Sequence, residues 1–402
     1  MVDPVNKKKI LVITPRFPYP VIGGDRLRIY ELCKSLSEHY ELTLISLCEN
    51  HNELKFDVKD NVFKEIHRVY LSKIKSYFKT LLGLFSKKPL QVCYYDSREF
   101  KELIKSQLHY HDAVFCHLIR VADSVKGYSG VSIIEMTDAI SLNYSRVRKL
   151  ASKINFKALV YTFEQKRLEI YEKKMASRFD LVTFVSPVDR DYLYPKGNSN
   201  VKVFGNGVDT KHLNFVPRSI NPNDTIELIF IGNMYSLQNM DAVLYFSKKI
   251  LPEIKSEFNV KLNVLGKISE KDKQLLNSID NVHALGQVSD INAAALMGHI
   301  GVCPVRLGAG IQNKVLEYMA LGLPCITSSV GFEGLGAIDG KQILVADTIN
   351  EYISTLDKLV NDSAYYNIIA GNARGFVISE FLWDKKLSPF VDAVDSVINQ
   401  RP

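Results

Sequence analysis

Short apolar runs alternate with amphipathic helical stretches along this chain, in two successive series, and few architectures accept that pattern. The first run, KILVIT at 9–14, reads as a buried parallel strand. A Pro/Gly loop follows, PRFPYPVIGGD at 15–25. The next stretch, RLRIYELCKSLSEH, places Leu27, Tyr30, Leu32/Cys33 and Leu36 on one helical face, and ELTLISL is the next strand. A strand, a helix and a strand in this order require a parallel sheet with a right-handed crossover. AVFCHL, VSIIEM, DLVTFVS and VKVF continue the series, with the longest helical stretch at about 151–175. The polar, proline-containing segment DTKHLNFVPRSINPND (209–224) reads as a linker. A second series then runs through IELIFIG, VKLNVLG, VHALG, GVCPV, PCIT and QILVA. The expected fold is α/β: two Rossmann-like domains, 1–207 and 225–379, whose parallel sheets face a central cleft. The amphipathic end of the chain, about 380–402, is expected to cross back to the first domain.

The 402 residues suffice for two domains, and 46% hydrophobic with 24% charged residues is a globular balance. The net charge of +7 is uneven: residues 1–200 hold 33 Lys+Arg against 23 Asp+Glu, or +10, and residues 201–402 hold 18 against 21, or −3. That asymmetry fits an anionic partner for the first half, or ordinary surface variation. An aromatic-basic platform or recognition-helix motif is missing, which argues against nucleic acid. Six cysteines without CxxC spacing read as reduced, buried thiols. The apolar run after the first lysines is too short for a signal peptide, and nothing approaches the roughly 20 apolar residues of a membrane span, so a cytoplasmic location is expected.

Ligands of open parallel sheets bind beyond the carboxyl ends of the strands, so the loops there carry the candidates. In VIGGDR, Gly23 and Gly24 let the backbone approach a ligand at a helix N-terminus, or simply make a tight turn. The densest segment is GVCPVRLGAGIQNKVLEYMALGLPCITS. A strand ends near Pro304; Arg306, a Gly308–Ala309–Gly310 loop and a helix opening near Ile311 follow. Free N–H groups there suit a diphosphate, with Arg306 as a bidentate donor and Lys314 as a point charge. Glu317, one turn later, can accept two ribose hydroxyls; alternatively Lys314 and Glu317 form an ordinary i,i+3 ion pair. The GAG loop lacks the third glycine of a dinucleotide fingerprint. The DRD at 189–191 matches a metal-binding motif, but its place directly after VTFVSP reads as a helix opening. His117 and Asp138 each follow a strand and are either site residues or structural groups. KSYFKTLLGLFSKKP (75–89) mixes apolar residues with lysines and fits either an anionic bilayer or a helix packed on its own domain.

Over nearly its whole length the chain resembles glycosyltransferase family 4, of GT-B fold. The resemblance is carried by TPRFPYPVIGGDRLR, TDA at 137–139, FGNGVD at 204–209, IFIGNM at 229–234, VHALGQVSD at 282–290, the R-x-G-A-G-x-x-x-K-x-x-E segment and FLWD at 381–384. The subgroup looks like bacterial sugar transferases of polysaccharide assembly. The resemblance implies a retaining, metal-independent transfer from a nucleotide-sugar to a glycan or lipid-linked glycan acceptor, without a cofactor. It places Arg306 and Lys314 at the donor diphosphate and Glu317 on the ribose. Gly23, Gly24, Asn206, Gly232, Asn233, Gln238, Gly286, Gly308, Ala309, Gly310 and Ile311 complete the donor set. Asp25, Arg26, His117, Ser141 and Tyr144 are acceptor candidates. Four positions depart from the family: Ala309 stands for the first Glu of E-x7-E, Asn233 and Gln238 for an Arg and a Lys, and Asp138 for a His. Asp138 is therefore a candidate base for the acceptor hydroxyl. A nucleotide-sugar epimerase and an inactive donor-binding homologue are the alternatives on the same fold.

Overall fold

The structure, a computed structural model, describes residues 7–150, 156–288, 290–307 and 311–400. It divides into two compact units, residues 1–205 with 387–402, and residues 206–386.

The first unit is built on seven strands: β1 (Lys9–Thr14), β2 (Glu41–Cys48), β3 (Glu65–Tyr70), β4 (Ala113–His117), β5 (Val131–Thr137), β6 (Leu181–Phe184) and β7 (Val201–Val203). All are parallel, in the order β3-β2-β1-β4-β5-β6-β7. β3, EIHRVY, was not apparent in the sequence; it is the edge strand, only its Val69 is fully buried, and it carries no apolar run. The helices used below are α1 (Gly24–Ser37), α2 (Lys73–Gly83), α3 (Ile140–Leu150), α4 (Phe156–Lys173) and α5 (Pro187–Leu193). Leu11, Ile13, Ile45, Val114, Ile134 and Val182 supply the centre of this core. The C-terminal helix Trp383–Asn399 belongs to this unit from Leu387 on, and its Phe390 packs against Phe115 and Phe204 at ring-centroid distances of 5.8 and 5.6 Å.

The second unit contains β8 (Ile226–Ile231), β9 (Val260–Leu265), β10 (Val282–Gly286), β11 (Ile300–Cys303), β12 (Cys325–Thr327) and β13 (Leu344–Val345), parallel and ordered β10-β9-β8-β11-β12-β13. Helices α6 (Leu237–Tyr245) and α7 (Asn313–Leu321) flank the site. The segment expected to be a free linker is instead part of this unit. Leu213 and Ile220 enter its core, and Arg374 donates to the carbonyls of Leu213 (2.8 Å) and Thr210 (3.0 Å). Arg218 likewise donates to Leu321 O at 2.7 Å. Two apolar side chains among polar neighbours anchor the strap, and the half-buried Arg374 satisfies two of its carbonyls.

All six cysteines are free and buried. No helix among the described residues is long and apolar enough to cross a membrane.

Candidate functional site

In each sheet the chain order reverses once, between β1 and β4 and between β8 and β11. Beyond the strand ends at such a switch point a crevice opens between diverging loops. Most of the expected residues fall at these two places.

In the second unit α7 starts just after the loop that follows β11. Its position is pinned by Tyr318, whose hydroxyl accepts from Ile231 N at 2.7 Å and donates to Val302 O at 3.3 Å. Gly301 makes room for that ring, since a Cβ there would lie 2.4 Å from it. The helix N-cap, Gln312, makes no side-chain cap, and Gly322 closes the far end in the left-handed conformation, φ 74°. Lys314 in the first turn is 8% exposed. Its Nζ donates to Gln312 Oε1 at 3.3 Å and lies 5.4 Å from the centre of the Phe230 ring. It has no ion pair among the described residues. The alternative in which Lys314 and Glu317 are an ordinary ion pair therefore does not hold.

Glu317 is half-buried and makes no hydrogen bond among the described residues. Burial pushes its carboxyl up to about 7, although Lys314 pulls the other way. A carboxyl that binds its proton more tightly when folded favours the folded state at low pH, and that contribution is lost as pH rises through about 7. Melting temperatures of the wild type and Glu317→Gln, recorded from pH 5 to 8, check this. The wild type is expected to lose ground to the variant across that interval, and a constant difference would contradict it.

Arg306 is not the free cation the sequence suggested. It is held in a fork by Asp241 of α6, Nε to Oδ2 at 3.2 Å and Nη2 to Oδ1 at 2.7 Å, and it stacks 4.2 Å from the centre of the Tyr245 ring. Its side chain is still 45% exposed, so one edge remains open to a ligand. Asp241 and Tyr245 lie about 60 residues upstream in sequence and gave no local signal.

The strand-end loops are knitted by glycines. Gly232 N donates to Leu265 O at 2.9 Å, and Gly266 N donates to Gly286 O at 2.8 Å. Gly266, which sequence reasoning missed, has φ 126°, and a Cβ on it would lie 1.9 Å from Gly232 O. Only glycine allows that approach. Asn233 is exposed, and its Oδ1 accepts from Tyr235 N at 3.1 Å; Gln238 is half-buried in the first turn of α6. Asn206 donates to Asn313 Oδ1 at 3.0 Å, tying the start of the unit to the first residue of α7. Ile311 is half-buried against the core. Gly308, Ala309 and Gly310 lie outside the described residues.

In the first unit Gly23, φ 99°, caps α1, and Gly24 is the first helical residue. The arginines of the GGDRLR motif are largely structural. Arg26 pairs with Glu53 at 2.5 Å. Arg28 is 1% exposed; it faces Glu135 at 3.4 Å and donates to Phe204 O (2.7 Å) and Gly205 O (2.9 Å). Asp25 pairs with Arg16 at 3.2 Å. Burial opposes its ionisation, but the guanidinium of Arg16 outweighs that and holds its carboxyl below the ordinary range.

His117 ends β4 and is 3% exposed; its Nε2 has no partner among the described residues. Burial lowers its pKa to about 3 despite the pull of Asp25, so the ring is neutral at physiological pH. Asp138 follows β5 and reaches solvent. Crowding by the surrounding protein, then the like charges of Asp189 and Glu135, push its carboxyl up to about 7 against the pull of Arg28. The backbone beside both residues is left-handed without glycine, at Leu118 (φ 67°) and Thr137 (φ 64°). Such conformations cost of order 1–3 kcal/mol and cluster at functional sites.

Ser141 is fully buried and its hydroxyl donates to Glu172, which also accepts from Ile140 N at 2.7 Å. It thus supports the start of α3 and cannot touch an acceptor directly. Tyr144 is half-buried on α3 against the core. The DRD motif lies on α5, capped by Ser186. Asp189 is fully buried and accepts from Ala139 N at 2.9 Å, while Arg190 and Asp191 pair at 2.7 Å. The two carboxylates serve different structural ends. A cavity of about 490 Å³ lined by Lys75, Ser76, Lys79, Asp96, Arg98 and Glu99, among others, includes none of the expected acceptor residues.

Residues 225–362 match the family described as Glycosyl transferases group 1. An uncharacterized 44.6 kDa protein in the cps region of Klebsiella pneumoniae is 25% identical over 358 residues, covering 84% of this chain and 87% of that protein. Sucrose-phosphate synthase from Thermosynechococcus elongatus superposes with a TM-score of 0.71 at 15% identity, over 98% of this chain and 100% of that one. Anabaena HepE, solved in complex with UDP, gives 0.66 at 14%, over 96% and 100%. With two parallel-sheet units of GT-B type and a Glycosyl transferases group 1 domain over residues 225–362, the chain is a glycosyltransferase.

Proposed function

We propose that the enzyme transfers a sugar from a nucleoside-diphosphate donor to a glycan or lipid-linked glycan acceptor in bacterial surface polysaccharide assembly, with retention and without a metal ion, at the cytoplasmic face of the membrane. The observation that carries the donor assignment is Lys314: a lysine 8% exposed, in the first turn of a helix at the switch point, with no ion-pair partner among the described residues. A buried cation without a counter-ion is costly, and an anionic ligand removes the cost. In this reading Lys314, the open edge of Arg306 and the N-terminal amides of α7 hold the diphosphate. They stabilise its charge as the bond to the anomeric carbon breaks. Glu317 accepts the ribose hydroxyls. In the first unit Asp138, whose carboxyl is raised above the ordinary range, takes the proton of the acceptor hydroxyl as the new bond to the anomeric carbon forms. HepE, which shares the fold and is solved with UDP, and a relative from a cps region support the donor class and the pathway.

A thermal-shift panel of nucleotide-sugars tests the reading, since a ligand of the folded state raises its melting temperature. One donor is expected to give a clear rise, and that donor is expected to be consumed only when an acceptor is present. A rise with none of them would overturn the donor assignment. Conversion of the donor alone would make the enzyme an epimerase.

A further inference from the structure

We infer that the outer face of α2, extended by two residues of α4, docks on the surface of an anionic lipid bilayer. An amphipathic helix at a protein surface normally turns its apolar stripe inward. α2 does the reverse. Its buried residues are Ser76 and Gly83, seven positions apart and hence on one face. On the opposite arc Ile74, Tyr77, Phe78, Leu81 and Leu82 face solvent, and Phe85 just beyond the helix is 91% exposed. The possibility that this segment packs its apolar side on its own domain is thereby excluded.

The face is held rigidly. Arg167 of α4 is buried and donates to Gly83 O (3.1 Å) and Leu84 O (3.0 Å) at the end of α2, and Glu164 accepts from Leu90 N at 2.5 Å. The same helix adds exposed Phe163, stacked on Arg167 at 4.2 Å, and exposed Ile170. Exposed apolar side chains gathered on one helix face in this way mark an interaction site.

Charge selects the occupant. From residue 73 to 95 there are five lysines and no aspartate or glutamate. Lys79 donates to Asp96 O and Lys88 pairs with Asp123, which leaves Lys73, Lys75 and Lys87 exposed around the apolar arc. The surrounding half of the chain carries +10. A second copy of the chain would bring like charges together, whereas an anionic lipid surface meets both the lysines and the aromatic side chains. The inference deepens the lipid-linked reading of the acceptor, but it is measured without any transfer.

Full-length protein is sedimented with vesicles of mixed phosphatidylglycerol and phosphatidylcholine, and with phosphatidylcholine alone, at low and high salt. Binding is expected to the anionic vesicles at low salt and to weaken with salt. The double variant Phe78→Ser, Phe85→Ser is expected to partition about tenfold less. Its melting temperature and its affinity for the donor nucleotide are expected to stay at wild-type values. Wild-type protein that stays in solution with anionic vesicles, or a double variant that binds them equally well, would overturn the inference. So would a concentration-dependent dimer without lipid that the double variant abolishes. None of these outcomes bears on donor binding, which the nucleotide titration reads separately.

Discussion

Lys314→Met is expected to lower kcat by roughly 100-fold, about 3 kcal/mol of transition-state stabilisation, while melting no lower than the wild type. The two halves of this expectation share one cause. The Lys314 ammonium is desolvated, set over Phe230, and among the described residues bound only to Gln312. In the free protein that arrangement costs stability, and methionine of similar length fills the space without the charge. In the reacting complex the same charge faces the departing diphosphate, where it is worth most. A structural lysine would behave oppositely, losing stability first and activity only as a consequence. Steady-state kinetics with the matched donor, alongside a melting curve, separates the cases, and near wild-type turnover would remove Lys314 from the mechanism.

The second large effect concerns stability. Arg28→Ala is expected to cost about 3–5 kcal/mol, or roughly 10 °C in melting temperature. Arg28 and Glu135 are 1% and 0% exposed, and the guanidinium also satisfies the carbonyls of Phe204 and Gly205. Deleting it leaves a buried carboxylate served, among the described residues, by Thr183 alone, together with two unpaired carbonyls. Adding Glu135→Gln to the first substitution is expected to recover part of the loss, because the stranded charge goes with it. Urea denaturation of both variants checks the pair, and an Arg28→Ala protein within 1 kcal/mol of wild type would show that the pair is not the keystone described here.

The two βαβ series were legible because parallel strands are buried on both faces and so appear as unbroken apolar runs, as in ILVI of β1 and LIFI of β8. β3 was not, because an edge strand needs no such run. The 209–224 strap looked like a linker because Leu213 and Ile220 are isolated among polar residues, and Arg374, which binds the carbonyls of Leu213 and Thr210, lies far along the chain. At the site, spacing along α7 put Lys314 and Glu317 on the same side of a helix, and the structure keeps them there without pairing them. The partner of Arg306 was invisible, since Asp241 and Tyr245 reach it only through the adjacency of β8 and β11. Gly266 was overlooked because its requirement arises from the carbonyl of Gly232 in a neighbouring loop. Ser141 and Arg26 were placed by motif alone, and polar side chains in such loops more often hold the loop than a ligand.

The most direct test is a calorimetric titration of the nucleoside diphosphate of the matched donor into wild-type protein and Lys314→Met at the same salt concentration. If the buried lysine is the diphosphate's counter-ion, the variant binds roughly tenfold more weakly or worse. Equal dissociation constants would mean that the lysine faces no phosphate at all.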